Sequence, residues 1–378
     1  MRKFVVCASA FLLSLGMTLP AVAATTTTVV NAAQSQAQFT FQQAVDQAKK
    51  SSKSLRTAQL DVDRSYEVRN YLGDSVKDTY QTTSQVGYSM DQQWYGAFMG
   101  LSQADVTWRM NKRNLEAQED SIVMQTYQLY NGLIQAQDKV KNCKIRLTNA
   151  QIQYNNAFTA SQVGTIDNPT LVQAKAARAA SEAALAAAES ALDDAYQKFN
   201  ILVGLKAEER PVLLDNPTFE KMKTDDVDFV INKAVNDSPT VWLAEKKVDL
   251  AEAAYSAYSY SLGGRTEPGK AKSIDIDKAA VSASSTKEQM EKLVRTIYHS
   301  IQQLEEQYGG AQQQVAVADE NLRVVKVKFD IGMATKADVA AAESKLVDAK
   351  ESLLDIVIKH QNMVYAFQKP WAYAASSS

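Results

Sequence analysis

The sequence predicts a mainly α-helical protein made of duplicated long-helix hairpins. The first observation behind this is an internal repeat. Ser161-Gln162-Val163-Gly164-Thr165 precedes a long alanine-rich stretch, and Asp330-Ile331-Gly332-Met333-Ala334-Thr335-Lys336-Ala337-Asp338-Val339 precedes another. Superposed at Gly164 and Gly332, Leu171 falls on Val339, Ala174 on Ala342, Leu185 on Leu353 and Phe199 on Phe367. The second observation is punctuation: 14 Gly and 7 Pro in 378 residues leave long intervals with neither, as long helices require. The third is apolar spacing of three, four or seven residues within those intervals. Such a duplication builds a scaffold rather than a catalytic pocket.

Residues 1–23 read as a secretory signal peptide. Arg2 and Lys3 are its basic start, Phe4 to Leu15 its apolar stretch, and Ala21-Val22-Ala23 supplies small residues for cleavage after Ala23. That stretch is too short to span a bilayer. The remainder holds one cysteine, Cys143, which excludes an intramolecular disulfide; beside Val140 and Leu147 it reads as a small buried hydrophobe. Without Arg2 and Lys3, 39 basic residues face 43 acidic ones, a formal charge of −4, which argues against a nucleic-acid partner. No later run of eighteen apolar residues suggests a transmembrane helix.

Residues 24–39 read as a disordered N-terminus. Residues 40–203 form the first helical repeat. Phe41, Val45, Ala48, Leu55, Ala58 and Val62 predict one helix to about Lys77. Thr79 to Ala104 breaks the pattern and reads as loop or two short strands, Thr83–Met90 and Trp94–Ala104. Val106 to Ala160 predicts a helix of about 55 residues, roughly 80 Å long, which must pack in a coiled-coil or bundle manner. Gly164 suits the residue after a helix, Asn168 a cap, and Pro169 a first turn. From Pro169 to about Phe199 the next helix carries twelve alanines between Ala174 and Ala195.

Residues 204–226 read as a linker, with Pro211 and Pro217. Residues 227–368 form the second repeat. Ala48, Leu55, Ala58 and Val62 match Ala234, Val241, Ala244 and Val248 at one constant offset, which predicts another helix to about Tyr258. Ser259 to Ser285 reads as irregular, with alternation only at Tyr258–Leu262 and Ile274–Ile276. A helix from Thr286 to Lys328 is expected to break at Gly309-Gly310. Thr335 or Asp338 opens the last helix, which Pro370 stops; residues 369–378 are a tail.

The order of helix, irregular segment, long helix, Val-Gly or Ile-Gly turn and Ala-rich helix, given twice, resembles the TolC-like outer-membrane exit-duct family over residues 40–368. Gly332, Thr335, Asp338, Val339 and Ala342 carry the likeness; at the first turn Gly164 matches and Leu171 stands for a Val. The resemblance implies a homotrimer. Its helices would form an α-barrel, a coiled-coil tunnel in the periplasm, with a short or vestigial β-barrel strand pair from each repeat in the outer membrane. It implies adaptor contacts at the tip turns, Val163, Gly164, Thr165, Ile331, Gly332 and Thr335. There a periplasmic membrane-fusion adaptor bound to an inner-membrane pump would dock. The alternative is a non-conducting extracytoplasmic coiled-coil spacer or envelope tether.

Asp330, Asp338 and Asp167 flank the turns and are the candidate pore gate, since a ring of carboxylates favours cations. The competing reading makes Asp338 a helix-start acid favoured by the dipole and Asp330 a solvated residue. Arg323, Lys326 and Lys328 read as a solvated face. Tyr88, Trp94, Tyr95, Phe98 and Trp108 read either as an interfacial belt or as a small core. No catalytic residue, cofactor or metal is expected: His299 and His360 lie in different helices, no HExxH or phosphate loop occurs, and Asp225-Asp226-x-Asp228 lacks EF-hand spacing.

Overall fold

A computed structural model describes residues 37–83, 91–223, 226–260 and 267–376. The signal-peptide reading, most of 24–39 and residues 84–90, with Tyr88, lie outside the described residues. The order is β1 (Gln38–Phe39), α1 (Phe41–Ser51), α2 (Lys53–Thr83), α3 (Asp91–Gln162), α4 (Asn168–Val203) and β2 (Val212–Leu213). Then follow α5 (Val227–Asp237), α6 (Pro239–Tyr260), α7 (Gly269–Asp330), α8 (Lys336–Gln368) and α9 (Pro370–Ser376).

Each repeat opens with a kinked pair rather than the single helix expected. In α1, Thr40 and Gln43 form a reciprocal capping box. The helix stops at Ser52 (φ −66°, ψ 116°), whose hydroxyl lies 2.9 Å from Ser54 and accepts the Leu55 N–H. At Ser238 (φ −63°, ψ 123°) the second repeat does the same, with its hydroxyl 2.9 Å from Thr240. Ser52 and Ser238 are separated by the offset that aligns Ala48 with Ala234. Both copies therefore interrupt the helix at one equivalent residue, and Pro239 marks only the second.

The long helices follow the 3.5-residue seam of coiled coils. On α4 the covered positions are Leu171, Ala174, Arg178, Ser181, Leu185, Ala188 and Leu192, at alternating intervals of three and four. At about 1.5 Å per residue, the 72 residues of α3 span roughly 110 Å. Its first half pairs with α2 (Arg69 to Asp105, 2.6 Å) and its second with α4 (Gln137 to Tyr196, 2.9 Å). In the second repeat α7 pairs with α6 and then with α8.

The expected strands are helix wherever they are described. Trp94–Ala104 lies within α3, Tyr258–Tyr260 ends α6, and Ile274–Ile276 lies in α7, which starts at Gly269 instead of Thr286. The alternation of Ile274 and Ile276 is too short to separate a period of 2 from one of 3.6. The face α7 covers is Ile276, Ala279, Ala283, Thr286, Met290 and Val294, a helical spacing. Gly309-Gly310 does not break α7. Phe98 is exposed on α3, and Trp108 packs on Tyr66 at 5.7 Å with Arg69 and Lys112 over its ring.

Two apolar cores sit midway along the hairpins. One joins Ala44, Ala48, Tyr130, Leu133, Phe199 and Val203. The other joins Ile231, Val235, Val294, Ile297, Ile301 and Phe367. Phe199 and Phe367, superposed by the repeat, are thus buried residues near the ends of their helices. The linker straps this waist. Val212–Leu213 pairs in parallel with Gln38–Phe39, so the end of the expected disordered segment is a strand. The Asn200 amide donates to the carbonyls of Lys206 (3.0 Å) and Glu209 (2.8 Å), and Gln361 donates to Thr218 O (2.9 Å). Cys143 is buried, as expected of a small hydrophobe.

Beyond Pro370 the chain is not a tail: α9 folds back on α3. The Trp371 indole N–H donates to the Asp120 carboxylate (3.0 Å), Lys369 pairs with it (3.1 Å), and Ala372 is fully buried. Asp120→Ala leaves the indole donor and the ammonium without their acceptor. An expected loss of about 2–3 kcal/mol follows, read in urea melts and as faster hydrogen exchange at the backbone amides of α9.

Candidate functional site

The two hairpin tips are built by one hydrogen-bond pattern. Gly164 (φ +74°) donates to Ser161 O (3.1 Å), and Thr165 N–H donates to Ala160 O (2.9 Å). Gly332 (φ +76°) donates to Phe329 O (3.0 Å), and Met333 N–H donates to Lys328 O (2.7 Å). These are the paired bonds of a Schellman stop, which needs a left-handed residue that glycine supplies without a Cβ penalty.

Three residues past each glycine the next helix is capped. Asp167, not Asn168, caps α4: its carboxylate accepts the Thr170 N–H (3.3 Å) and the Thr170 hydroxyl. Thr335 caps α8 in a reciprocal box: it accepts the Asp338 N–H (3.2 Å), while Asp338 accepts the Thr335 N–H (2.7 Å) and hydroxyl (2.7 Å). Asp167–Thr170 and Thr335–Asp338 occupy equivalent positions with acid and hydroxyl exchanged. Because the residue types swap places, a position-by-position reading of the repeat passes over the match; only the shared spacing of three reveals it.

Both carboxyls are held below the usual carboxylate range. For Asp167 the Thr170 hydroxyl is the main cause, and for Asp338 the Thr335 backbone N–H. A depressed folded-state pKa adds stability above the ordinary value near ~4, and that stability is lost as pH falls through the folded value. Both tips are therefore expected to stay closed at neutral pH and to fray only below about pH 4. Hydrogen exchange corrected for its intrinsic pH dependence checks this, and Asp167→Asn with Asp338→Asn should remove the pH dependence.

Asp330 ends α7, exposed, and its carboxylate makes no hydrogen bond or ion pair among the described residues. Val163, Ile331 and Met333 are 70%, 64% and 74% exposed, so each tip offers apolar side chains to solvent beside its turn. Arg323 pairs with Glu320 (2.7 Å) and Lys326 with Glu343 (3.8 Å), a solvated ionic face. His360 is buried, 3.4 Å from Glu305 and packed on Phe219, while His299 is exposed on another helix. Among the described residues no group of three His, Cys, Asp or Glu side chains is placed to hold a metal. No helix there is long and apolar enough to cross a membrane.

Neither protein-family models nor curated proteins match the sequence. Solved structures do. The outer-membrane channel OprN superposes with a TM-score of 0.67 at 14% identity, over 88% of this chain and 90% of that one. The fold is that of the TolC-like outer-membrane channels. The outer membrane protein VceC of Vibrio cholerae gives 0.59 at 14% identity, over 88% of this chain and 95% of that one. The Campylobacter jejuni CmeC outer membrane channel gives 0.59 at 13%, over 88% and 85%. The TolC-like fold of this chain gives Gly164 and Gly332 one role, since each closes the far end of its repeat's longest hairpin. The neighbours are channel proteins rather than enzymes.

Proposed function

We propose that this chain is a subunit of a homotrimeric exit duct, exported to the cell's outer membrane, whose helices form a periplasmic tunnel. It serves as a passive conduit for small molecules or proteins in a tripartite efflux or type I secretion system. The observation that carries this reading is the pair of matching tips on hairpins of a channel fold. Val163, Gly164, Thr165, Ile331, Gly332 and Thr335 are the contact points for a membrane-fusion adaptor bound to an inner-membrane pump. Exposed Val163, Ile331 and Met333 support that role, because a docking partner would remove them from water. Cargo passes with no bond broken.

Asp330 is the better gate residue of the three acids, since Asp167 and Asp338 are engaged by helix ends. In a ring of three copies Asp330→Asn removes three charges at the mouth. The expected result is a lower cation-to-anion permeability ratio at unchanged single-channel size. An unchanged ratio would return Asp330 to a solvated surface acid.

The test of the duct is single-channel conductance in planar bilayers with oligomer mass on the same sample. Trimers with discrete steps uphold it. A second reading, the non-conducting spacer, draws on the distal hairpin ends. Only seven residues separate α2 from α3 and eight separate α6 from α7, against about 9–11 for one membrane strand. Trimers without conductance, released by carbonate washing, would favour that spacer.

A further inference from the structure

The two repeats finish one joint differently. In the first copy the end of α1 meets the end of α4 directly. The Ser51 hydroxyl donates to Leu202 O (2.6 Å), Ala44 is fully buried, and Phe199 and Val203 complete the seal. In the second copy α5 takes the place of α1, and the end of α8 that of α4. The repeat offsets carry Ala44 onto Val230, Ser51 onto Asp237, Leu202 onto Pro370 and Val203 onto Trp371. Val230 and Trp371 are only half-buried, where their counterparts are closed off. Between them stands a cleft of about 330 Å³, inside the range of small-molecule sites, about 300–1,000 Å³.

The cleft has two chemistries. Its floor is apolar: Val230 of α5, Val364 and Phe367 of α8, and the Trp371 ring of α9. Its rim is basic: Lys223 at the end of the linker strap and Lys233 of α5. Both lysines are exposed, and neither ammonium makes an ion pair or hydrogen bond among the described residues. The neighbouring lysines are engaged, Lys221 with Glu305 (4.0 Å) and Lys369 with Asp120 (3.1 Å). Asp237 also lines the rim, one turn after Lys233, and does not pair with it. Two free ammonium groups over an apolar trough complement an anionic head on an alkyl tail. A bare inorganic anion leaves the floor wet, and a neutral alkyl chain leaves the lysines unmatched. The volume holds roughly ten water-sized groups.

We propose that this cleft binds a free single-chain carboxylate of about ten carbons, with its head between Lys223 and Lys233 and its tail along Val230, Val364 and Trp371. The bound carboxylate ties the strap to α5 and gives the second repeat the seal that Ser51 supplies in the first. The site lies within one copy and is complete without assembly. A membrane lipid is the wrong source of this headgroup. From the end of α5, α6 runs a further 22 residues, about 33 Å, to the distal end where the proposed duct would meet the outer membrane.

The experiment uses the full chain in phosphatidylcholine nanodiscs, a diazirine analogue of decanoate as the probe, and mass spectrometry of the labelled peptides. Label is expected on the peptides that contain Val230, Val364 and Trp371, suppressed by excess decanoate but not by decanol or decyltrimethylammonium. Below saturation, Lys223→Gln with Lys233→Gln should cut that labelling roughly tenfold, and Asp237→Asn should raise it about twofold. All three side chains are exposed, so each variant is expected to melt with the wild type. As competitors, decanoate should outdo octanoate by up to about fourfold per methylene. Equal competition by decanol, or a double variant labelled like the wild type, reduces the cleft to an apolar patch and overturns the proposal. Label confined to the distal hairpin ends, or displaced only by phosphatidylglycerol vesicles, marks a lipid-facing site and overturns it as well. None of these outcomes touches conductance or oligomer mass, so the duct reading stands or falls separately.

Discussion

Gly332→Leu is expected to abolish export while leaving the protein folded and trimeric. The backbone at this tip is left-handed, φ +76°, which costs a residue with a Cβ about 1–2 kcal/mol. That cost falls on one exposed turn, held by the bonds of Gly332 N–H to Phe329 O and Met333 N–H to Lys328 O. No atom lies within 4 Å of the added Cβ, so no neighbour is displaced. A side chain between Ile331 and Met333 instead stands on the exposed apolar edge where the proposed duct would receive its adaptor. Gly332→Asn separates backbone from surface, because asparagine accepts the left-handed region far better than leucine. Both variants are expected to keep the native mass of the wild type and to lose adaptor co-purification. Normal export by the asparagine variant alone would assign the effect to backbone strain. Loss of the folded trimer by the leucine variant would make Gly332 a structural residue only.

The tips were legible in the sequence because a left-handed helix stop leaves a glycine, and a duplication shows it twice. The long helices were legible for a related reason: a seam with one wet side imposes a 3.5-residue period over many turns. What the sequence hid has physical causes. The kinks at Ser52 and Ser238 interrupt a helix for one residue, and serine is also an ordinary helix residue, so only Pro239 signals either. The start of α7 looks irregular in sequence because Pro268-Gly269 has the form of a turn; in the fold Pro268 precedes the first helical residue, and Lys272 pairs with Glu267 at 3.1 Å across the helix start. The return of α9 onto Asp120 depends on partners some 250 residues apart, which no local pattern records. The Asp–Thr exchange at the tips was hidden by the swap itself.

Gly204→Ala is expected to destabilise the protein by about 2–5 kcal/mol, well beyond the same change at Gly332 or Gly164. All three glycines share a φ near +75°, so each pays the left-handed penalty of about 1–2 kcal/mol. Their surroundings differ. A Cβ on Gly204 would lie 2.8 Å from the Ser51 Cβ, whereas nothing surrounds the other two. Ser51 cannot simply step aside. It ends α1, and its hydroxyl donates to Leu202 O at 2.6 Å and to Ala48 O at 3.2 Å, tying α1 to the end of α4. The crowding adds about 1–3 kcal/mol. Urea melts of the three alanine variants in one assembly state measure the difference, and equal losses would refute the crowding argument. Ser51→Gly removes the atom in the way and the two hydrogen bonds together. The double variant should therefore lose less than the two single losses combined, since the clash is present only when both side chains are. Additive losses would place the cost elsewhere in the turn. The contrast gives one backbone conformation two settings: at the waist glycine lets two helix ends touch, and at the tips it leaves the turn open with nothing packed against it.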